Sequence, residues 1–373
     1  MTANQLFNPS RLTLARKRRG LTMTKLAASV GVEPRSISAY EKGEFGPDED
    51  RLATLASVLQ FPPRFFFGDD LDEPTPDIAS FRALSKMTAG QRDTALGAGA
   101  IALMFNQWIE SRFVLPSSDL PDLSREDDPE AAAGALRRLW GLGELPVKNM
   151  VHLLEAKGVR VFSLSLDALE VDAFSMWRQS TPFVFLNTKK SAEHGRFDSA
   201  HELGHLVLHR HGSPQGREAE HQANAFASAF LMPRSSVLAH APRLARIDHL
   251  IQLKKVWNVS VAALTYRLHT VGVLSDWHYQ SLYIELSSRG YRKKEPDQGQ
   301  RETSQVLQRV FLDLRDQKVS KNEIASELCV SVEEIDQLVF GLALTGVNGG
   351  GQGGPRKSTS PQFVVVGSEK ENI

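Results

Sequence analysis

Residues 201–205, His-Glu-Leu-Gly-His, restrict the fold of this chain more than any other part of its sequence. In a helix each residue advances by about 100°, so the imidazoles of His201 and His205 lie one turn apart on one face. Both can then bind one zinc ion, and Glu202 lies close enough to act as general base toward a water molecule. The apolar residues 206–208 indicate that this helix is buried, where three polar groups without a shared purpose would be costly. Ordinary core histidines are the alternative.

A catalytic zinc site keeps three protein ligands, and the residues after the motif offer several candidates for the third. Six of the eleven histidines lie between His194 and His221. The candidates within reach are Glu218, Glu220, His221, His209 and His211. His209 lies about 12 Å along a helix from His201, which favours a polar role at the helix end over a place in the same tetrahedral site. The pattern alone leaves Glu218, Glu220 and His221 nearly equal.

The segment between residues 10 and 43 is strongly basic, with eight Lys or Arg residues and two acidic ones. The whole chain is neutral, with 44 basic and 44 acidic residues, so this charge is local. The segment predicts two short helices joined at Gly31, where a left-handed turn suits glycine. This helix-turn-helix geometry places the start of the second helix in the major groove of double-stranded DNA. A helical bundle with a solvated charged face is the alternative.

The second of these helices predicts which side chains meet DNA. Ile37 and Tyr40 give it an apolar inner side. The residues expected on its outer face, toward base edges, are Arg35, Ser36, Ser38 and Ala39. The basic residues expected to bind phosphates around it are Lys25, Lys42, Arg16, Arg18 and Arg19.

The same segment resembles the Cro/repressor-type (Xre) helix-turn-helix family. The matching residues are Leu26-Ala27, Gly31-Val32, Ile37-Ser38 and Tyr40-Glu41-Lys42-Gly43, and residues 52–61 match the helices that close the domain. The resemblance implies a five-helix domain that binds an operator, and domains of this type often form homodimers. Met23 departs from the pattern, because the family usually has a glutamine there that contacts DNA. We therefore expect a different operator preference.

The region around the histidine motif looks like the ImmA/IrrE family of metallopeptidases. The matching stretches are residues 196–209, Glu220 to Ala227, and Leu231-Met232-Pro233, and the resemblance continues through residues 253–296. In that family the acidic residue three positions before Ala-Asn completes the Zn²⁺ site, which by position is Glu220. The resemblance leaves Asn224 either to orient the site or to serve as a helix-packing amide.

These observations predict a mostly α-helical chain with an α+β core. The expected parts are a five-helix DNA-binding domain (1–68), a linker and helical connector (69–130), a zincin-like peptidase domain (131–240), a C-terminal helical region (241–345) and a Gly-rich disordered tail (346–373). Strands are expected at residues 159–164, 172–177 and 183–187, and a helix at 81–114. Residues 321–340 are acidic, which favours a packed helical pair over a second helix-turn-helix.

Composition restricts the compartment that we expect. Cys329 is the single cysteine, which excludes an internal disulfide framework and any multi-cysteine zinc site. The longest mostly apolar run, residues 95–105, is about half of the roughly 20 residues that a membrane-spanning helix needs. The first seven residues lack the apolar core of a signal peptide. We expect a cytoplasmic protein associated with the nucleoid and with no membrane partner.

Three functional hypotheses follow. The first is a DNA-binding regulator whose zinc endopeptidase domain cleaves a regulatory protein, a repressor-like partner or itself, in a stress, phage or toxin–antitoxin response. The second is a non-proteolytic regulator or antitoxin that uses the peptidase fold as a sensor or partner-binding module. The third is a proteolytic toxin restrained by a partner. Intact Glu202, His201 and His205 favour the first over a purely structural domain.

Overall fold

A computed structural model describes residues 6–75, 80–81, 88–164, 172–211 and 216–343. These residues form a mostly helical chain with one small sheet, as the sequence predicts. The predicted Gly-rich tail, 346–373, lies outside the described residues. No helix in the described ranges has both the length and the apolar character needed to cross a membrane.

The N-terminal domain consists of five helical segments, which confirms the predicted architecture. They are α1 (Pro9–Arg18), α2 (Met23–Val30), α3 (Pro34–Lys42), α4 (Glu49–Leu59) and a 3-10 helix (Pro63–Phe67). Gly31 ends α2 with a φ of 68°, a left-handed conformation that glycine adopts without a Cβ penalty. The side chains of Leu12, Leu26 and Ile37 are fully buried between the helices. Burial of these apolar faces holds α2 and α3 at their turn.

The sheet has four strands in the order β1, β3, β4, β2. They are β1 (Ser80–Phe81), β2 (Arg160–Ser163), β3 (Ala173–Arg178) and β4 (Thr181–Leu186). Strands β2 and β4 are parallel, whereas β3 runs antiparallel to β4 and β1 antiparallel to β3. The three longer strands were predicted and β1 was not.

The prediction of a helix beginning at Phe81 is wrong, because the backbone of Ser80 and Phe81 pairs with the outer edge of β3. The helix of the connector, α5 (Ala89–Glu110), begins at a capping box formed by Thr88 and Gln91. At Ser80 and Phe81, hydrogen bonds to a distant strand thus override the helical pattern of the local sequence.

Four further helices follow the connector helix along the chain. They are α6 (Pro129–Leu139), α7 (Met150–Ala156), α8 (Ala192–Leu208) and α9 (Arg217–Leu231). Two of them, α7 and α8, pack on the sheet. Helix α8, which carries the histidine motif, packs on β3 and β4 and against α9. Pro233 follows α9, and proline cannot continue a helix. This arrangement brings the start of α9 beside the middle of α8.

After α9, the described residues contain seven short α-helices, several of which begin at Ser N-caps. They are α10 (Arg234–His240), α11 (Ile247–Leu253), α12 (Val261–Thr270), α13 (Asp276–Ser288), α14 (Gln305–Asp316), α15 (Lys321–Glu327) and α16 (Val332–Val339). Helix α16 lies against β2 and α5. The last two helices are thus a packed pair, in line with the interpretation that the sequence favours.

Helix α16 also contacts the first helix of the N-terminal domain. The carboxylate of Glu334 is fully buried and accepts hydrogen bonds from Arg18 Nε at 2.9 Å and from Arg19 Nη1 at 2.6 Å. Gln337 accepts a further hydrogen bond from Arg18. These contacts fix the C-terminal helices to the N-terminal domain through buried charges.

Candidate functional site

A cluster of three potential metal ligands lies where α8 and α9 meet. His201 and His205 lie one turn apart on α8, and Glu220 extends from the first turn of α9. Their ligand atoms all lie within 4.8 Å of one another, and within the described residues no other group of three His, Cys, Asp or Glu side chains is as close. Both imidazoles are buried, whereas about a quarter (26%) of the Glu220 side chain is exposed.

The spacing of these atoms fits a tetrahedral zinc ion. Ligand atoms about 2.0–2.1 Å from such an ion lie roughly 3.3 Å from one another. The Nε2 atoms of His201 and His205 are 3.1 Å apart. Glu220 Oε1 lies 3.3 Å from His205 Nε2, and Glu220 Oε2 lies 3.6 Å from His201 Nε2. Two nitrogens and a carboxylate are also the donor set found in catalytic zinc sites.

Asn224 lies within hydrogen-bond distance of His201. Its amide nitrogen donates to the backbone carbonyl of Glu220 at 2.7 Å, which leaves the amide oxygen 3.2 Å from His201 Nδ1. His201 Nδ1–H therefore donates to that oxygen, and Nε2 keeps its lone pair toward the cluster. Of the two roles that the sequence leaves open for Asn224, this geometry supports orientation of the site.

The sequence did not predict that the Nδ1 atom of His205 also has a hydrogen-bond partner, His209. His205 Nδ1 lies 3.0 Å from His209 Nδ1, and His209 Nε2 lies 2.9 Å from Gln222 Oε1. A hydrogen on His205 Nδ1 is then donated to His209, which donates its own hydrogen to Gln222. Burial lowers the pKa of His209, in keeping with this neutral form. The spacing of His205 and His209, four residues apart on one helix, is the signal that could have found this pair.

The carboxylate of Glu202 is fully buried beside this cluster. Its Oε2 accepts hydrogen bonds from Ser175 Oγ at 2.6 Å and Ser80 Oγ at 2.8 Å. Its Oε1 has no donor among the described residues. Burial raises the pKa of Glu202, while nearby His205 and the two hydroxyls act in the opposite direction. A buried carboxylate oxygen without a donor can accept a proton from a water molecule at the cluster.

The other candidate ligands lie outside the cluster. Glu218 and His221 are exposed on α9, and His211 is exposed and 2.7 Å from Asp122. His209 follows the last residue of α8, and it contacts Nδ1 of His205, not the Nε2 atom that belongs to the cluster. His194 lies 3.7 Å from Asp198 near the start of α8. Among the described candidates only Glu220 reaches both imidazoles, because it lies on the face of α9 that packs toward α8.

Gly204 allows α9 to approach α8 closely enough for Glu220 to reach the histidines. A Cβ atom at this position would lie 3.0 Å from Phe226 Cδ1 and 3.3 Å from Ala223 Cα. Both neighbours belong to α9 and are fully buried, so they cannot turn away into solvent. The close packing of the two helices therefore depends on the missing side chain.

We expect Gly204→Ala to weaken zinc binding about tenfold, the lower range seen when support of a ligand is lost. The gain in helix propensity, about 1 kcal/mol, favours the variant and keeps it folded. Competition with a chromophoric chelator measures the affinity. Gly195→Ala is the matched control, because it lies on the same helix and its Cβ would meet no atom within 4 Å. Equal affinity of both variants and the wild type would remove this role of Gly204.

Helix α3 presents part of the predicted DNA-facing set. Arg35, Lys42 and Lys25 are exposed, and Ser36 and Ser38 are half-buried. Arg35 lies 2.7 Å from Glu33 in a pair that is open to solvent on both sides. A solvated ion pair of this kind is weak, so Arg35 remains free to contact DNA.

The remaining four residues predicted to contact DNA are turned inward. Arg16 is paired with Glu41 at 2.5 Å, and Arg18 and Arg19 bind Glu334. Ala39 is buried because α1 and α2 pack on that side of α3. The structure therefore corrects the picture of an exposed basic run at residues 16–19: Glu41 and Glu334 neutralise its arginines inside the fold.

Two parts of the chain match known protein families. Residues 12–66 match the helix-turn-helix family, and residues 154–269 match the IrrE N-terminal-like domain family. The first range covers most of α1, all of α2 to α4 and most of the 3-10 helix, and the second includes β2 to β4, α8 and α9. The cluster of His201, His205 and Glu220 falls within the second range.

Curated relatives match a short part of the chain, and all three are HTH-type transcriptional regulators. An uncharacterised HTH-type transcriptional regulator of Sinorhizobium medicae is 37% identical over 60 residues, 16% of this chain and 43% of that protein. A counterpart in Rhizobium meliloti gives the same values. The HTH-type transcriptional regulator DicA of Escherichia coli is 33% identical over 86 residues, 23% of this chain and 64% of that protein. The chain thus spans about half the length of these relatives.

Proposed function

Since this chain carries an Xre-type helix-turn-helix domain and an IrrE/ImmA-like peptidase-family domain, we propose that it is a DNA-binding transcriptional regulator with zinc-dependent endopeptidase chemistry. The observation that carries the peptidase part is the placement of His201, His205 and Glu220 around one point, with Glu202 beside them. The target that fits is a regulatory protein, either a repressor-like partner or the chain itself, in a stress, phage or toxin–antitoxin response.

Three side chains would hold the metal and others would keep them in place. His201 and His205 would present Nε2, and Glu220 its carboxylate. Asn224 and His209 would fix the two imidazole rings through contacts at Nδ1. Zinc, when bound there, supplies a Lewis acid that polarises a peptide carbonyl and acidifies water. Glu202 Oε1 then accepts the proton of the attacking water, because Ser175 holds the other oxygen of the same carboxylate.

DNA binding would be carried by the exposed side chains of α2 and α3. Arg35 at the start of α3 is placed to reach a base edge, and Lys25 and Lys42 to bind phosphates. Such a protein would work in the cytoplasm at the nucleoid, as a monomer or as a homodimer on a two-fold operator. The regulators of DNA transcription among its relatives support this part of the proposal.

The test is cleavage that depends on Glu202. Zinc-loaded full chain is incubated with candidate repressors from neighbouring genes and alone, and products are identified by mass spectrometry. Loss of a general base costs 10²–10⁴-fold, so Glu202→Gln is expected to lower the cleavage rate by at least about a hundredfold. Glu218→Gln is the matched control, because Glu218 is exposed and lies outside the cluster.

Other results would select the remaining hypotheses. If no candidate is cleaved, while Arg35→Ala abolishes regulation and Glu202→Gln preserves it, the chain is a non-proteolytic regulator or antitoxin that uses the peptidase fold as a sensor. If expression arrests growth and Glu202→Gln relieves the arrest, the chain is a proteolytic toxin held by a partner.

A further inference from the structure

A glutamate that precedes α14 caps the first turn of α7. The carboxylate of Glu302 accepts hydrogen bonds through Oε2 from the backbone N–H groups of Met150 and Val151, the first two residues of α7, at 2.8 and 3.0 Å. The other oxygen of the same carboxylate pairs with the guanidinium of Arg196 on α8. The negative charge of this cap is therefore balanced by a cation.

A glutamate on α7 makes the reverse contact with the first turn of α14. Oε2 of Glu155 accepts hydrogen bonds from the backbone N–H groups of Gln305 at 2.9 Å and Val306 at 3.3 Å. Oε1 accepts a hydrogen bond from the hydroxyl of Ser304, the N-cap of α14. All three donors are neutral, and no Lys or Arg among the described residues forms an ion pair with this carboxylate. The two helices thus cap each other, but only the Glu302 cap has a cation.

Burial makes the charge of Glu155 costly. The residue is only 4% exposed, so an ionised carboxylate there loses most of its hydration. Burial raises the pKa of Glu155 to about 7, although the three hydrogen bonds and the charge of Arg160 on β2 act in the opposite direction. The protonated side chain can still accept both backbone N–H groups through Oε2. Protonation therefore removes the buried charge and keeps this part of the cap.

The other titratable groups near this contact do not change charge near pH 7. His152 lies on α7 itself, and burial lowers its pKa below the ordinary value of 6.5. Arg160 on β2 and Arg196 on α8 carry guanidinium groups, which stay protonated in proteins. On α14 the first charged side chain, Arg309, pairs with Asp313. The buried carboxyl group of α7 is thus the one expected to titrate at neutral pH.

The start of α14 is also tied to α16. The backbone N–H of Ser304 donates to the carbonyl of Leu342, just after α16, at 2.7 Å. Helix α16 in turn holds the N-terminal domain through Glu334. A change at the first turn of α14 therefore acts on the helix that joins the C-terminal region to the N-terminal domain.

We propose that the contact between α7 and α14 is pH-sensitive, and that the protonated form of Glu155 holds the C-terminal helices on the core more tightly than the ionised form. The contact lies between helices that carry none of the candidate metal ligands. The proposal therefore goes beyond the proposed function and stands whether or not the chain cleaves proteins.

The sign of the effect follows from linkage. When α14 separates from α7, Glu155 returns to water and to its ordinary pKa of 4.5. The docked state then binds the proton more tightly than the open state. Docking is strongest below pH 4.5, weakens as the pH rises toward about 7, and stays constant above that value. Between pH 6 and pH 8 the equilibrium constant for opening is expected to rise about tenfold.

Hydrogen exchange measures this opening in the full chain. Mass spectrometry follows the peptide that covers residues 304–316 at pH 6, 7 and 8, and division by the intrinsic exchange rate gives a protection factor at each pH. We expect the wild-type protection factor to fall about tenfold from pH 6 to pH 8. In Glu155→Gln, whose amide is neutral throughout, it should change less than about twofold.

The matched control is Glu323→Gln. Glu323 also caps a helix, α15, but it is exposed, and its hydrogen bonds to Ser320 lower its pKa. This carboxylate stays ionised between pH 6 and pH 8. The control should therefore keep the tenfold change of the wild type at α14.

Two results would overturn the proposal. A wild-type protection factor that is constant between pH 6 and pH 8 does so alone, even if Glu155→Gln fails to fold. The same pH dependence in Glu155→Gln as in the wild type assigns the effect to another group. His152→Asn identifies that group if this variant alone loses the dependence. Loss of the dependence in Glu155→Gln, with its retention in His152→Asn and Glu323→Gln, supports the proposal.

Discussion

Alanine at Glu220 is expected to remove zinc from the purified chain, from about one ion per chain to a small fraction of that value. Glu220 supplies the only carboxylate within reach of both imidazoles in the described part of the chain. Loss of groups that merely support a ligand lowers metal affinity 10–100-fold, so loss of a direct ligand should cost at least about a hundredfold. His205→Ala is expected to have the same effect.

The measurement is metal content by mass spectrometry after dialysis against a buffer of defined free zinc. Glu218→Ala and His211→Ala are the matched controls, because both residues are exposed and lie outside the cluster. They should keep the zinc content of the wild type. Zinc that stays in Glu220→Ala would show that another residue completes the site, and a wild type that never takes up zinc would remove the peptidase chemistry altogether.

The centre of this site could be predicted because its geometry is local. Two histidines four residues apart on a helix share one face whatever surrounds them, and the apolar residues beside them indicate burial. The third ligand could not be predicted from local geometry. Pattern alone left Glu218, Glu220 and His221 open, because the choice depends on how α9 packs against α8. The resemblance to a known family selected Glu220, and the packing at Gly204 gives the physical reason.

The features that could not be predicted depend on contacts between distant residues. Strand β1 has only two residues, so no period reveals it, and it is held by contacts with β3 and with Glu202, which lie far away in the sequence. The arginines at residues 16–19 were expected to bind DNA phosphates because they lie in a strongly basic segment. Arg18 instead binds a glutamate 316 positions away, a pairing that no local pattern contains.

The second large effect is expected at that glutamate. Glu334→Ala leaves the buried guanidinium of Arg18 without its carboxylate, and Arg19 loses the same partner. Removing one member of a buried ion pair costs about 3–5 kcal/mol, because the other charge stays desolvated and unpaired. We therefore expect the free energy of unfolding of the N-terminal domain and its attached C-terminal helices to fall by roughly that amount.

Chemical denaturation, followed by hydrogen exchange of α1 and α16, measures this loss region by region. Glu333→Ala is the matched control, because Glu333 is the exposed neighbour on the same helix and should change stability by less than about 0.5 kcal/mol. In a double-mutant cycle, Arg18→Ala combined with Glu334→Ala should cost much less than the sum of the two single changes, because no unpaired charge is left between them. Additive effects would mean that the two side chains are not coupled, and that α16 is held to the DNA-binding domain by apolar packing alone.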